Sequence, residues 1–271
     1  MKINLLFNSI FIKIIGLISM TFDHISKIVN YYNLPLFDEK MLTFFDIIGR
    51  ISFPIFAFFI IEGLIYTRSK YKYVLRLSIL AISIDLIFYL ATGNYWGNPI
   101  TTLALGALFI YLFEHKKTYI KFLSILPITY ITLLSFEVIP LYSMYDLYGF
   151  ILIILFYLSY KSSIYISDIS AEFINVDKEE FYKENHFKIR KLLSVLFLLV
   201  FTILIWFINP IYNNKNIFID DPVMQLYSIL SIFPILIYNG KKGYNNKWIQ
   251  IIFYLYFPLH LCILYLLLVV L

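Results

Sequence analysis

Ionisable side chains interrupt strongly apolar runs of this sequence, and they are the residues best suited to chemistry. Asp23 and His24 are adjacent near the end of the first run, Arg50 and Glu62 lie in the second, and His260 lies in the last. A charge at bilayer depth is costly, so a membrane helix that keeps one usually does so for a site. These five residues are therefore the first candidates for catalysis or binding.

A histidine exchanges a proton near neutral pH, and a nearby carboxylate strengthens it as a general base. Asp23 and His24 offer this pair, although adjacent helical residues point about 100° apart and need not contact each other. The structural alternative is that Asp23 caps a helix end while His24 lies among lipid headgroups. Arg50 and His260 are further ionisable residues within apolar runs, and their presence favours a functional role for Asp23 and His24.

Helical rise brings further residues to similar depths. Arg50 lies roughly 9 Å from the outer end of the second run, and Asp85 in the third run reaches the same half of the membrane. If these helices pack together, one cavity would be lined by Asp23, His24, Arg50, Asp85 and His260. The same depths predict a buried ion pair between Arg50 and Asp85, since either charge alone would be costly.

A second group lies at the other end of the second run. Arg68 and Arg76 are suited to binding phosphates, because a guanidinium offers a bidentate fork of donors. Both also belong to the basic cluster that flanks cytoplasmic helix ends, so a purely topological role stays open. Glu62 is either part of this site or the partner of a neighbouring cation.

The composition defines what must position these residues. Hydrophobic residues form 61% of the 271-residue chain and charged residues only 14%, with a mean hydropathy of +0.81. A soluble domain is closer to half apolar and a quarter charged, so we predict an all-α, polytopic membrane helical bundle. The continuous apolar runs do not alternate as strands of a membrane barrel do.

Nine runs are interpreted as spans of a slab of about 30 Å, and the fourth of them is short. They cover residues 5–25, 44–66, 73–91, 99–114, 119–138, 141–160, 189–208, 222–239 and 248–271. Lysine and arginine cluster after the even-numbered runs, which predicts an N-inside, C-outside topology in the cytoplasmic membrane. Residues 1–271 are interpreted as a single membrane domain with a cytoplasmic loop near 162–188.

Other classes of function find little support. The net charge of +5 is spread over membrane-proximal loops, which argues against nucleic-acid binding. No phosphate-binding loop motif is found. His115 and His186 are interpreted as exposed loop residues, and without a ligand spacing such as HExxH we expect no metal.

At the same residues the chain resembles the TraX family, named for the conjugative pilin acetylase. The resemblance covers both ends and leaves a middle from about Phe113 to Lys247 unmatched. The matching segments are Lys13-Ile14-Ile15, Met20, Asp23-His24, Gly49-Arg50, Phe53-Pro54-Ile55-Phe56-Ala57-Phe58, Glu62-Gly63, Thr67-Arg68, Tyr73, Arg76-Leu77, Thr102-Leu103, Gly106, Phe253-Tyr254 and Tyr256-Phe257-Pro258-Leu259-His260-Leu261.

This resemblance implies an integral-membrane acyltransferase that moves an acetyl group from cytoplasmic acetyl-CoA to an amine or hydroxyl. It implies that His24 is the general base supported by Asp23, and that Arg50 steadies charge or holds the thioester. Arg68 and Arg76 would bind the CoA phosphates, while His260 would line the cavity. The acceptor is open among a pilin or other peptide, a glycan and a lipid-linked precursor.

Two other classes of function remain as alternatives. In a transporter or flippase the buried charges would form a translocation path, with flux in proteoliposomes that needs no acetyl-CoA. In a non-catalytic component of a secretion or conjugation apparatus, replacing Asp23, His24 and Arg50 would harm only stability or partner capture.

Overall fold

The computed structural model describes residues 7–93, 95, 97–139, 144–209, 211–212, 215–243 and 246–270. Within them a two-residue antiparallel hairpin, β1 (Ile211–Tyr212) and β2 (Lys215–Asn216), accompanies a helical architecture. The predicted all-α class is confirmed. The helices are α1 (Ser9–Tyr31), α2 (Glu39–Gly49), α3 (Ser52–Tyr66), α4 (Lys70–Thr92), α5 (Pro99–Phe113), α6 (Thr118–Phe122), α7 (Ile125–Ser135), α8 (Asp146–Phe173), α9 (Lys178–Ile208), α10 (Pro222–Gln225), a 3-10 helix (Leu226–Ser231), α11 (Ile232–Ile237), α12 (Lys247–Tyr265) and a π-helical turn (Leu266–Val270).

In the part of the chain that the structure describes, seven helical segments are long and apolar enough to cross a membrane. The multi-pass helical class is therefore confirmed, but the count of nine is not. The fourth and eighth predicted runs correspond to shorter apolar segments, Pro99–Phe113 and Pro222–Ile237. The N-inside, C-outside topology stays a prediction.

Side-chain caps explain where several helices begin. Asn8 precedes α1, and its Oδ1 accepts hydrogen bonds from the backbone N–H groups of Ile10 at 3.0 Å and Phe11 at 3.1 Å. An N-cap of this kind satisfies backbone donors that have no partner within the helix. The same role is played by Asp38, Ser69, Asn98, Asp177 and Asn246.

The second predicted run contains a break at Arg50. α2 ends at Gly49 and α3 begins at Ser52. Pro54 has no N–H to donate to the carbonyl of Arg50 four residues earlier, and its ring crowds that carbonyl. Arg50 therefore lies in a short turn between the two helices.

The chain forms two compact units. Unit 1 consists of Met1–Phe56 and Val223–Leu271, and in it α1 packs against α2, α11 and α12. Unit 2 consists of Ala57–Pro222, with α5 packed against α4, α7 and α8. The interpretation of 1–271 as a single functional domain stays a prediction.

The stretch near 162–188, predicted as a loop, is largely helical. α8 continues to Phe173 and α9 begins at Lys178, so the connection is short, and the two helices pack along each other. Small buried residues allow this close approach: Ser159 and Ser194 are hydrogen-bonded through their hydroxyls at 2.6 Å. Local polarity suggested a loop here, but interhelical packing determines the structure.

Candidate functional site

α1 packs against several helices of unit 1 and presents polar residues on two different faces. Ser19, Asp23 and Ser26 are spaced by four and three residues and lie toward α2. Thr21 and His24 are three apart and lie toward α12. This helical spacing separates the adjacent residues Asp23 and His24 between two interfaces.

The α2 face of α1 is held at close range by serine hydroxyls and a glycine. Ser19 Oγ donates to the carbonyl of Ile48, and Ser26 Oγ donates to the carbonyl of Leu42 at 3.2 Å. A Cβ at Gly49 would lie 2.7 Å from Oδ1 of Asp23 and 2.9 Å from its Cγ. Glycine at position 49 therefore makes room for the Asp23 carboxylate between the two helices.

Asp23 is buried beside two cations. Lys27, one turn further along α1, donates to Oδ2, and Nη2 of Arg50 lies 3.5 Å from Oδ1. Asp46 of α2 also interacts electrostatically with Arg50, Lys27 and Asp23, so two carboxylates accompany the two cations. Arg50 thus forms an ion pair with Asp23, whereas the sequence predicted Asp85 as its partner.

The α12 face carries a pair of buried histidines. Nδ1 of His24 and Nε2 of His260 are 2.7 Å apart, and the two side chains belong to residues that are only 7% and 5% exposed. Nδ1 of His260 lies 2.8 Å from the backbone carbonyl of Tyr256. Residues separated by 236 positions therefore share one hydrogen-bonded chain.

This chain assigns the tautomers of both rings when they are neutral. A carbonyl oxygen can only accept, so Nδ1 of His260 carries the proton and its Nε2 has a lone pair. That lone pair accepts the proton of His24 Nδ1–H. Nε2 of His24 is consequently left with a lone pair, which is the form a general base requires.

Aromatic contacts orient the two imidazoles. The ring of Tyr256 stacks on that of His260, with centroids 4.9 Å apart and planes 10° apart, and Phe257 contacts His24 edge-on at 5.9 Å. Thr21 donates to the carbonyl of Leu17 at 2.9 Å, so the Tyr256 hydroxyl donates to Thr21 Oγ1 at 2.7 Å. These contacts fix α12 against α1 at the level of His24.

Unit 2 contains a buried ion pair that the sequence reasoning missed. Nη2 of Arg190 donates to Oε1 of Glu62, and the two residues are 1% and 7% exposed. The guanidinium also lies over the ring of Phe187, 5.2 Å from its centroid. Glu62 was expected either to bind ligand or to pair with a cation, and the cation is Arg190. The position of Arg190 at the start of the apolar run 189–208 was the available signal.

Asp85 connects α4 to the start of α5 through two hydrogen bonds. Its Oδ1 accepts from Nδ2 of Asn98 at 2.6 Å, and its Oδ2 accepts from Oγ1 of Thr101 at 2.9 Å. Asn98 is itself the N-cap of α5. These contacts give Asp85 a structural function within unit 2, while its predicted role in substrate binding stays untested by them.

Arg68 and Arg76 are both exposed. Arg68 lies between α3 and α4, and Nε of Arg76 donates to the carbonyl of Lys72 at 3.2 Å. Their exposure near one end of α4 is compatible with contacts to a soluble anion. Phosphate binding by these two residues stays a prediction.

Glu114, just after α5, links three helices. Its carboxylate accepts from Lys70 and Lys161 at 2.5 Å each and from the Tyr157 hydroxyl at 2.8 Å. Burial raises the pKa of Glu114, but hydrogen bonds from Lys161, Lys70 and Tyr157 outweigh it and lower the pKa to about 2. The Glu114 carboxylate is therefore charged at neutral pH and connects the three helices through its ion pairs and hydrogen bond.

His186 also differs from the expectation of an exposed loop residue. It is buried in α9, stacks on Tyr182 with centroids 4.2 Å apart, and hydrogen-bonds Ser163 at 2.9 Å. Ser163 donates its own proton to the carbonyl of Tyr160 at 2.7 Å. His186 must therefore donate to Ser163, so it cannot act as the base of a serine nucleophile in this arrangement.

These features define the class of the protein. It is a multi-pass helical membrane protein with a buried histidine pair, and a carboxylate and two cations lie nearby. A family model described as TraX protein matches residues 9–203, so the chain belongs to the TraX family, as its sequence resemblance predicted. The match reaches well into the middle that the resemblance left unmatched. It ends before α12, so His260 lies beyond it.

The chain is also similar to a protein named "Probable fimbrial assembly protein FimC, serogroup H1" from Dichelobacter nodosus. The two are 29% identical over 124 residues, which is 40% of this chain and 47% of the relative. The chain thus spans about half the length of that relative. No solved structure matches the chain. Among the described residues, no group of three or more His, Cys, Asp or Glu side chains is arranged to hold a metal.

Proposed function

We propose that the protein is an integral-membrane acyltransferase of the cytoplasmic membrane. It takes an acetyl group from acetyl-CoA on the cytoplasmic side and transfers it to an amine or hydroxyl of an acceptor. The observation that carries the proposal is the hydrogen bond from His24 to His260, which leaves His24 Nε2 as a buried base. A buried, oriented base with cations nearby suits acyl transfer.

In the proposed reaction, the amine nitrogen or hydroxyl oxygen of the acceptor attacks the thioester carbonyl. At the same time His24 Nε2 removes the proton from that nitrogen or oxygen. The new bond forms to the carbonyl carbon, and the carbonyl oxygen becomes an oxyanion. When the oxyanion collapses, the carbon–sulfur bond breaks and the thiolate leaves. His24 then returns the proton to the sulfur, so CoA thiol and acylated acceptor are released.

The charges around Asp23 are proposed to stabilise the oxyanion. Arg50 and Lys27 both lie beside Asp23, and Arg50 lies in the turn between α2 and α3. A preorganised cation in a water-poor site stabilises developing negative charge strongly. Asp23 holds both cations in place and supports His24 through its field, without a direct hydrogen bond between the two.

The test is thioester turnover by purified protein in lipid nanodiscs with labelled acetyl-CoA. His24→Gln removes the base and is expected to lower acetyl transfer or acetyl-CoA hydrolysis by about 10²–10⁴-fold. The matched control is His115→Gln, which changes a histidine of unit 2 whose Nδ1 accepts from the nearby N–H of Lys117. Turnover by His24→Gln equal to that of the control would refute the assigned base.

His260 provides a second variant of the same test. His260→Phe removes the acceptor for His24 Nδ1–H and is expected to lower kcat with a smaller effect on KM. His260→Gln keeps a carbonyl oxygen that can accept this proton, so it should recover part of the rate. Equal loss in both variants would indicate that His260 acts only through packing.

Arg68 and Arg76 are proposed to contact the CoA phosphates. Replacing both with alanine is expected to raise KM for acetyl-CoA while kcat stays within a few-fold, because such contacts are made equally in the ground and transition states. The control is Lys183→Ala, an exposed cation of α9. An unchanged KM would remove these residues from the donor site.

A second candidate function is favoured by the name of the relative, a probable fimbrial assembly protein. In this case the chain is a non-catalytic component that assembles surface fibres. It predicts that His24→Gln supports fibre assembly fully whenever the protein folds. Loss of assembly by the folded variant, together with loss of acetylated product, would favour the enzyme.

A further inference from the structure

A row of polar residues lies on the buried side of the 3-10 helix and the residue before it. Gln225, Ser228 and Ser231 recur at every third position, and a 3-10 helix has three residues per turn, so their side chains eclipse one another. They are 1%, 0% and 0% exposed, whereas Tyr227 and Phe233 of the same stretch are exposed. We call these three polar residues the polar ladder.

The polar ladder inverts the pattern of a soluble helix, with polar groups inside and apolar groups outside. In a membrane protein, such a face lines either a protein interface or a polar cavity. Non-α backbone at membrane depth likewise occurs where it is buried in protein or lines a cavity. Ser231 is satisfied locally, since its Oγ donates to the carbonyl of Ser228 at 2.7 Å.

Gln225 requires a partner from elsewhere. Among the residues that the structure describes, neither its Oε1 nor its Nε2 has a hydrogen-bond partner, although both atoms are buried. A buried carboxamide without partners destabilises the protein, and lipid cannot supply them. Oε1 needs a donor and Nε2 needs an acceptor, and a secondary amide offers both side by side.

The polar ladder belongs to the same compact unit as His24. The hydrogen bonds of Ser19 to Ile48 and of Ser26 to Leu42 place α2 along the part of α1 that contains Asp23 and His24. The 3-10 helix packs against α2 within the same compact unit. The ladder has no formal charge, so it suits an uncharged ligand better than an ionic one.

We propose that the polar ladder binds the pantetheine arm of the acyl-CoA donor, with Gln225 hydrogen-bonded to one of its two secondary amides. This inference rests on the proposed function. A thioester that reaches His24 from the cytoplasm must carry the arm into the membrane interior, where its amides need polar partners. Successive rungs of the ladder are about 6 Å apart along the 3-10 helix axis, so a second rung lies within reach of the second amide.

Binding of CoA to nanodisc-embedded protein tests this inference without requiring turnover. Gln225→Met, which keeps the size of the side chain and removes its hydrogen bonds, is expected to weaken CoA binding about 5–10-fold. Binding of 3′,5′-ADP, which has phosphates but no pantetheine arm, should not change. Tyr227→Phe, on the exposed side of the same helix, is the matched control.

Each outcome distinguishes this inference from the proposed function. If the wild-type protein binds no CoA, both are overturned. If Gln225→Met binds CoA as tightly as wild type, or raises only the KM for the acceptor, the ladder proposal alone is overturned. Equal weakening of CoA and 3′,5′-ADP would also overturn it, since the defect would be structural. If Gln225→Met does not fold, Gln225→Asn keeps the carboxamide one methylene shorter and should weaken only CoA.

Discussion

The buried ion pair between Glu62 and Arg190 leads to a quantitative prediction for a double-mutant cycle. Both residues are almost fully buried, so removing one charge leaves the other without its counter-ion in a low-dielectric interior. Breaking such a pair costs about 3–5 kcal/mol in the free energy of unfolding, whereas replacing both partners with apolar residues of similar size is often neutral.

We therefore expect Glu62→Met and Arg190→Met each to destabilise the protein by about 3–5 kcal/mol. The double variant should lie within about 1–2 kcal/mol of wild type, which gives a coupling energy of several kcal/mol. The assay is equilibrium unfolding in mixed micelles with increasing sodium dodecyl sulfate, followed by circular dichroism. Unfolding must be reversible for each variant.

The control cycle uses Glu179 and Lys183, an i,i+4 pair in α9 whose side chains are 85% and 76% exposed and 3.7 Å apart. An exposed pair of this kind contributes about 0.5 kcal/mol or less. If the two single changes at Glu62 and Arg190 are simply additive in the double variant, the pair is not coupled. The reasoning from burial would then be refuted.

Three further predictions follow from the contacts. Gly49→Ala places a Cβ against the Asp23 carboxyl group and should destabilise the protein by about 1–3 kcal/mol, with loss of thioester turnover. In the control Gly93→Ala the new Cβ meets no atom within 4 Å but strains a backbone at φ 74°, so it should cost about 1 kcal/mol and keep turnover. The pKa of Glu114 is lowered to about 2 from an ordinary 4.5, so its stabilising contribution is complete above pH 4.5 and is lost as the pH falls toward 2. In Glu114→Gln the unfolding temperature should therefore depend less on pH between 4.5 and 2. An unchanged dependence on pH would contradict the assignment. Ser26→Ala should lower the unfolding temperature slightly, since it removes the hydrogen bond to Leu42, and an unaltered temperature would show that the bond contributes nothing.

Hydropathy is a local property, so the class of this protein was predictable from the chain alone. The apolar runs predicted a multi-pass helical protein, and the TraX resemblance at Asp23, His24 and Arg50 is confirmed by the family match. Helix count was less accessible. Whether a run of 15 residues such as α5 crosses a membrane depends on its neighbours as well as on its own length.

Partners of the polar residues were decided by the tertiary structure. Depth arithmetic correctly grouped His24 with His260, but it could not distinguish Asp23 from Asp85 as the partner of Arg50, because depth leaves the rotation of each helix undefined. Arg190 lies in a cluster of lysine and arginine residues that the sequence pattern attributed to membrane topology alone. Its pairing with Glu62 joins residues 128 positions apart.

The sequence by itself determined which side chains are too costly to bury without a reason. Only the folded chain decided which of them meet, since a hydrogen bond is shorter than the width of a single helix. A change in helix rotation of one residue, about 100°, separates Asp23 from His24 and assigns them to different neighbours. For this reason Asp23, His24 and Arg50 were found as candidate residues in the sequence, and their contacts were found only in the structure.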